Sequence, residues 1–341
     1  MIWHGEHIAE TLQRDLLSAA RPVVWVSTQK VWNLYGSLFP YADKNRVYCL
    51  PEGEEAKSLQ AAEQLWKQWA HAGLTRDTLV IQMGGGALLD AAGFCSSTYM
   101  RGLEFWNIPS TLLAMVDASV GGKTALNLGS LKNYIGTFQP AQRVYISTEF
   151  LSTLPEVQLL SGWGEITKHA LLAGEPLWSE CQTWPQSPSE WASLLSKNTA
   201  IKKSIVDADF RDNGMRQKLN AGHSVGHALE SFYRSQGTPL EHGIAIAHGL
   251  AIEALVAFRM NLISRQHGQA ITTRIDQFFP HLNWETRNNE ALFSYIQKDK
   301  KNASNEWRFS LPRQIGDVRF SDSVSQNTLV WALTQYQNLP R

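Results

Sequence analysis

The chain has 341 residues, with 43% apolar and 18% charged side chains and 31 basic residues balanced by 31 acidic ones. That length fits two domains of about 150 to 200 residues each, and that composition excludes a disordered or fibrous chain. The charge balance gives no long-range field toward nucleic acid or an anionic membrane surface, so an anionic ligand must be caught by cations clustered locally.

In chain order, the first half alternates short β-branched or aromatic runs with helical patterns, as a parallel sheet with crossover helices does. The expected strands are Val23 to Val26, Val47 to Leu50, Leu79 to Met83, Glu104 to Ile108 and Val144 to Ile146. Helices are expected over Ser58 to Ala72, with leucine, tryptophan and alanine at helical spacing, and over Leu88 to Met100 after a glycine turn. After Pro155, long segments of 3.6-residue periodicity run to about Lys298, with only Trp307 to Leu311 strand-like. The expected fold is therefore α/β: a Rossmann-like parallel-sheet domain over residues 1–154 and a mainly helical domain over 155–341. The three cysteines, Cys49, Cys95 and Cys181, are too few and scattered for a disulfide framework or a CxxC metal site, which points to a reducing cytoplasm. The N-terminus has no apolar signal core, and no stretch is expected to approach the roughly 18 apolar residues of a membrane span.

Three segments carry chemistry. Gly84-Gly85-Gly86 links a buried strand to a helix and would let a pyrophosphate approach the helix N-terminus, although a tight turn without ligand explains the glycines as well. Upstream, Gly53-Glu54-Glu55-Ala56-Lys57 opens a helix, where the acidic residues serve the helix dipole equally well. Next, Pro109-Ser110-Thr111 leads through Asp117 to Gly121-Gly122-Lys123-Thr124, with Lys132-Asn133 following. Hydroxyls, paired glycines and lysines amid apolar residues suggest a pocket for a phosphorylated or carboxylated ligand. Asp117 stands where a P-loop needs its first glycine, which rejects that reading. Finally, Glu165 and Lys168 share one face of a helix and can be a plain surface ion pair. His223 and His227 stand at i and i+4 on another helix, and His242 begins a third. HxxxH lacks the glutamate of a zinc protease and by itself fits a structural pair, yet its spacing also suits a divalent metal, to which His242 would add a third ligand and Glu165 a carboxylate, completing an open site.

Taken together, GGGALLDAAGF, TYMRG, PSTLLAMVDASVGGKTALN, LKNYIGTF, GEITKH, LNAGHSVGHALE and LEHGIAIAHG resemble the 3-dehydroquinate synthase family of sugar-phosphate cyclases, in that family's order and spacing. The resemblance implies NAD on the first domain, a divalent metal (zinc, with cobalt an option), a heptulosonate phosphate substrate in a cleft between domains, and a homodimer. It implies Glu165, His223 and His242 as metal ligands. Asp117, Lys123, Lys132, Asn133, Lys168, Lys202, Arg216, Asn220 and His227 match substrate-site positions. Arg101 matches the residue given to a neighbouring subunit's phosphate, and Lys301 the last basic contact. For the cofactor, Glu54, Lys57, Gly85, Gly86, Asp90, Ser110 and Thr111 match, with Asp117, Lys123 and Lys132 shared. Lys202, Arg216 and Asn220 favour a substrate bearing a carboxylate over sedoheptulose 7-phosphate, which has none. A metal-dependent polyol dehydrogenase on a similar scaffold is the other alternative, and it is expected to lack GGKT and LKN. Three positions depart from the family pattern: Thr28 replaces an aspartate, Ala221 a phenylalanine, and Ile244 a glutamate able to orient a metal ligand.

Overall fold

A computed structural model describes residues 1–129, 131–284, 289–297 and 307–339. Two compact units form, Met1–Leu154 with Pro185–Lys203, and Pro155–Trp184 with Ser204–Arg341.

The first unit runs β1 (Ile2–Gly5), α1 (Ile8–Ala19), β2 (Val23–Thr28), α2 (Gln29–Tyr35), β3 (Val47–Leu50), α3 (Leu59–His71), β4 (Leu79–Gly84), α4 (Gly86–Thr98), β5 (Glu104–Pro109), β6 (Lys123–Leu128), β7 (Leu131–Phe138) and β8 (Arg143–Ser147). Six strands make one sheet in the order β1-β8-β5-β4-β2-β3, with every pairing parallel. All of β4 is buried, which is why LVIQMG reads as a continuous apolar run instead of an alternating one. Helix α3 starts where the Ser58 side chain accepts the Ala61 N–H, and it buries Ala61, Ala62, Leu65 and Trp69 in a core shared with Val24, Val80, Leu88 and Phe105.

Every strand expected in this half is found, with ends moved by at most two residues. Not anticipated were β1, only four residues long, and the antiparallel β6–β7 hairpin, which carries Lys123, Lys132 and Asn133 of the anion-binding run. Its second strand is mostly exposed, so it lacks the apolar alternation that marks a half-buried strand.

The second unit carries α5 (Glu156–Ala173), α6 (Leu177–Glu180), the end of α7 (Pro188–Ala208), α8 (His223–Ser235), α9 (His242–Arg259), α10 (Arg265–Phe278), α11 (Asn289–Gln297), the antiparallel pair β9 (Trp307–Gln314) and β10 (Asp317–Val324), and α12 (Gln326–Gln337). A single boundary at Leu154–Pro155 does not describe this division, because α7 up to Lys203 groups with the first unit. Side-chain bonds from α7 explain that grouping: Thr199 pairs with His4 at 2.8 Å and Lys202 with Asp117. The expectation about membrane spans also needs correction. Helix α9 is 18 residues long with a mean hydropathy of 1.2, but 78% of it is buried, as in the central helix of a folded unit.

Helices α5, α8 and α9 meet backbone to backbone. A Cβ on Gly243 would sit 1.6 Å from the Ser161 carbonyl oxygen, one on Gly164 would sit 1.9 Å from that of Gly243, and one on Gly249 would sit 2.0 Å from that of Gly222. Only glycine allows such approach, which outweighs its poor helix propensity at these positions. We expect Gly243→Ala to force α5 and α9 apart and to destabilise the protein by about 2 kcal/mol or more, read as a lowered denaturation midpoint. An unchanged midpoint would contradict this packing.

Candidate metal centre and cofactor turn

The helix contact just described brings three side chains together within the second unit. Glu165 follows Gly164 on α5, His242 precedes Gly243 on α9, and His223 follows Gly222, whose φ of 78° turns the chain into α8. Each of the three offers a donor atom within 4.8 Å of the others. Oε1 of Glu165 lies 3.7 Å from His223 Nε2 and 3.5 Å from His242 Nε2. A four-coordinate divalent ion with bonds of about 2.0 to 2.1 Å needs donors roughly 3.4 Å apart, so the spacing fits one.

Electrostatics support the same reading. Glu165 is fully buried, and neither of its oxygens accepts a hydrogen bond of normal geometry among the described residues. Lys168, one turn along α5 and 1% exposed, pairs with it, so this is no surface ion pair. Burial would raise the Glu165 carboxyl, but Lys168, His242 and His169 outweigh that and hold it well below the usual carboxylate range. The glutamate is therefore ionised and ready to ligate. Burial likewise pulls the His242 imidazolium down, but Glu165 and Glu230 overcome it and push it up.

The same unit holds further residues that the sequence places in a substrate site. His227 stands one turn beyond His223, with ring centroids 5.3 Å apart and 5.9 Å from His242. Arg216 and Asn220 belong to a 3₁₀ turn, Met215–Asn220. Arg216 is buried and donates through Nη1 to the Phe210 carbonyl at 2.7 Å, while the Asp209 carboxylate accepts the backbone N–H groups of Asn213, Gly214 and Arg216 and shapes the turn. Lys301 lies outside the described residues.

The first unit gathers a second set. β4 ends at Gly84 and α4 begins at Gly86 with Gly85 as its N-cap, and no side chain caps that end. A Cβ on Gly85 would come within 3.3 Å of the Thr111 methyl, so the turn stays low over exposed helix N–H groups, which suits an anionic ligand. Gly53–Lys57 is a 3₁₀ turn, not the start of a longer helix. From it the buried Lys57 donates to Asp90 at 2.6 Å and also to Asn133, while Glu54 accepts from Asn127 at 2.8 Å. Burial raises the Asp90 carboxyl, against the pull of Lys57. Ser110 is buried with its N–H on the Gly84 carbonyl, and Thr111 accepts the Ala114 N–H. Asp117 sits on a π-helical turn, Ala114–Ala118, and takes an ion pair from Lys202 at 2.5 Å. Lys123 at the start of β6 is exposed, Lys132 on β7 is half-buried, and Asn133 is held at φ 54°. Arg101 is exposed at φ 71°, beside Met100 at φ 49°. The structure thus groups Glu54, Lys57, Asp90 and Asn133 in one network, Asp117 with Lys202 in another, and leaves Lys123 and Arg101 at the surface of the unit.

The departures are accommodated. Thr28 caps α2 by accepting the Val31 N–H, Ala221 turns its carbonyl to His223 Nδ1 at 3.2 Å, and Ile244 is buried. Sequence reasoning missed Glu230, which lies 3.3 Å from His242 Nδ1. Its signal was the spacing HxxxHxxE from His223, which puts it on the histidine face of α8. It also missed Glu253, a buried carboxylate on α9 that accepts the Gly222 N–H at 2.6 Å and steadies the entrance to α8.

Known proteins resemble this chain along most of its length. Residues 47–161 match the family model described as 3-dehydroquinate synthase N-terminal, and residues 162–302 match the one described as 3-dehydroquinate synthase C-terminal. Curated 3-dehydroquinate synthases are similar across most of their length. The one from Parabacteroides distasonis is 32% identical, with 87% of this chain and 85% of that protein covered. That from Picosynechococcus is 33% identical, covering 92% and 89%. Among solved structures, a 2-deoxy-scyllo-inosose synthase complexed with carbaglucose-6-phosphate, NAD+ and Co2+ superposes with a TM-score of 0.87 at 22% identity, covering 98% of this chain and 96% of that one. The 2-epi-5-epi-valiolone synthase of Streptomyces hygroscopicus, with NAD+ and Zn2+ bound, gives 0.83 at 23%, covering 100% and 96%. At those identities the structural likeness establishes the fold, and the family models with the curated relatives establish the lineage: the chain belongs to the 3-dehydroquinate synthase family.

Proposed function

We propose that this protein is a lyase that converts 3-deoxy-D-arabino-heptulosonate 7-phosphate to 3-dehydroquinate and phosphate, using NAD and a divalent metal, zinc in the first instance. The observation that carries the reading is the convergence of Glu165, His223 and His242 beside the buried Lys168, in a chain matched by both family models. The bound NAD and metal ion of the two cyclases described above support the choice of cofactors.

When bound, the metal would stabilise negative charge on a substrate oxygen, and NAD would accept and later return a hydride, so the reaction has no net redox change. The chain's own residues divide the remaining work. Glu165, His223 and His242 hold the ion, and Lys168 keeps the glutamate ionised. In the first unit Gly85, Gly86, Ser110 and Thr111 receive the cofactor over the α4 N-terminus, with Glu54, Lys57 and Asp90 around it, and Asp117, Lys123 and Lys132 serve cofactor and substrate alike. Lys123, Asn133 and His227 stabilise the phosphate as it departs. That phosphate can take the proton of the adjacent C–H itself, so the elimination needs no protein base. Lys202, Arg216 and Asn220 hold the substrate carboxylate, with Lys301 as the last basic contact, and the fixed orientation favours the internal aldol closure. The same reading includes a cytoplasmic homodimer in which Arg101 reaches a neighbouring subunit's phosphate. The exposed, left-handed backbone at Arg101 supports that role, because strain of this kind persists where a side chain must be presented.

Three outcomes test the proposal. Metal-loaded protein with NAD should release phosphate from 3-deoxy-D-arabino-heptulosonate 7-phosphate and not from sedoheptulose 7-phosphate; the reverse preference would make it a sister cyclase, and sustained NADH formation from simple polyols a dehydrogenase. His223→Ala should lose bound metal and turnover together, so full metal content with activity retained would remove His223 from the ligand set. Binding should also expel a proton, because the metal-free imidazole of His242 is protonated at neutral pH and an ion needs it neutral. Apparent metal affinity should therefore rise by about tenfold per pH unit through the neutral range. Calorimetry in buffers of different ionisation enthalpy reads the proton directly, and its absence would contradict a protonated His242.

A further inference from the structure

The ring of His242 lies between two carboxylates. Its Nε2 is 3.5 Å from Glu165 Oε1, and its Nδ1 is 3.3 Å from Glu230 Oε2. The two nitrogens of an imidazole point away from each other, so one faces the candidate ion site and the other the Glu230 carboxylate. We propose that Glu230 is the positioning carboxylate of the metal centre, accepting the Nδ1–H of His242 and leaving Nε2 as the ligand nitrogen. The proposal rests on the metal-site reading given above.

Three observations support it. First, Glu230 is nearly buried, its side chain only 11% exposed, and a carboxylate so placed requires a partner that donates. Second, His223 is held the same way with a different acceptor. Its Nδ1 lies 3.2 Å from the Ala221 carbonyl oxygen, and its Nε2 faces Glu165. Both histidines are thus arranged to ligate through Nε2, one backed by a neutral carbonyl and the other by a charge, and a charged acceptor makes the ring the stronger donor to a metal. Third, the α9 residue two places beyond His242 is Ile244, buried and apolar, so α9 itself supplies no carboxylate there. Glu230 reaches His242 from α8, seven residues beyond His223 and on the same face. That helix is locked to α9 by the backbone contact between Gly222 and Gly249, which fixes the carboxylate relative to the ring.

A competing role is visible in the same geometry. His227, Glu230 and His242 also offer donors within 4.8 Å of one another, so Glu230 could ligate an ion itself. Cobalt binding to the full-length, metal-stripped protein separates the roles, followed by visible absorption and by competition with a chelator. For a positioning residue, Glu230→Gln, which keeps an acceptor but loses the charge, should weaken Co2+ by roughly tenfold, and Glu230→Ala by up to about a hundredfold. In both, the absorption bands should shift while their intensity stays that of the parent, because the donor set is preserved. Binding equal to the parent in both variants would overturn the proposal. So would a loss in Glu230→Gln as complete as that in His223→Ala, since Glu230 would then be a ligand. If Glu230→Ala does not fold by circular dichroism, the isosteric Glu230→Gln decides alone. A parent protein that binds no Co2+ would overturn the metal-site reading itself, and with it this role for Glu230.

Discussion

The candidate metal centre depends on helices that touch through their backbones. Glu165, His223 and His242 lie on three separate helices, and each adjoins a glycine in a contact where a Cβ could not fit. Side chains of ordinary size hold helix axes 8 to 10 Å apart, and the donors of an ion site must then reach across that gap. Glycine at the crossings removes that separation and places the donors next to it in sequence. The cost of several glycines in helices is met by packing, since α9 is almost wholly buried between its neighbours.

A second constraint is charge. Glu165 has no exposure and could not stay ionised on its own, and Lys168 on the same face of α5 supplies the compensation. The pairing makes the carboxylate a permanent anion, and the imidazoles of His223 and His242 then face a fixed negative charge. A divalent cation is the natural occupant of such a cluster, because it replaces the proton that the His242 imidazole would otherwise hold.

Much of this was legible in sequence, and the limits have physical causes. The buried strands of the parallel sheet carry continuous apolar runs and could be read almost to the residue, and Glu165, His223 and His242 were each expected on a helix. The β6–β7 hairpin could not, because it exposes most of one strand and its glycines and lysines resemble a ligand loop. The inclusion of α7 with the first unit was invisible too, since it depends on long-range bonds such as that of Lys202 to Asp117. Glu165 and Lys168 looked like a surface pair, because spacing gives the shared face of a helix but not whether a third element covers it. Glu230 stood inside a recognised motif and still went unassigned: its partner His242 is twelve residues away on another helix.

The two units solve the problem of a charged ligand differently. At the metal centre, a buried anion is compensated by a lysine and by an exchangeable proton on His242, so an arriving cation takes the place of that proton. In the first unit, Lys57 already donates to Asp90 and Asn133, and Glu54 already accepts from Asn127. A ligand that recruits these groups must replace bonds they have, so each contributes only the modest difference between old and new partners. The orphaned N–H groups at the start of α4 face no such exchange, since no side chain caps them. Affinity for an anionic cofactor should therefore arise mainly at the glycine turn, while Lys57, Asp90 and Asn133 act as a preformed frame that rejects ligands unable to match their geometry.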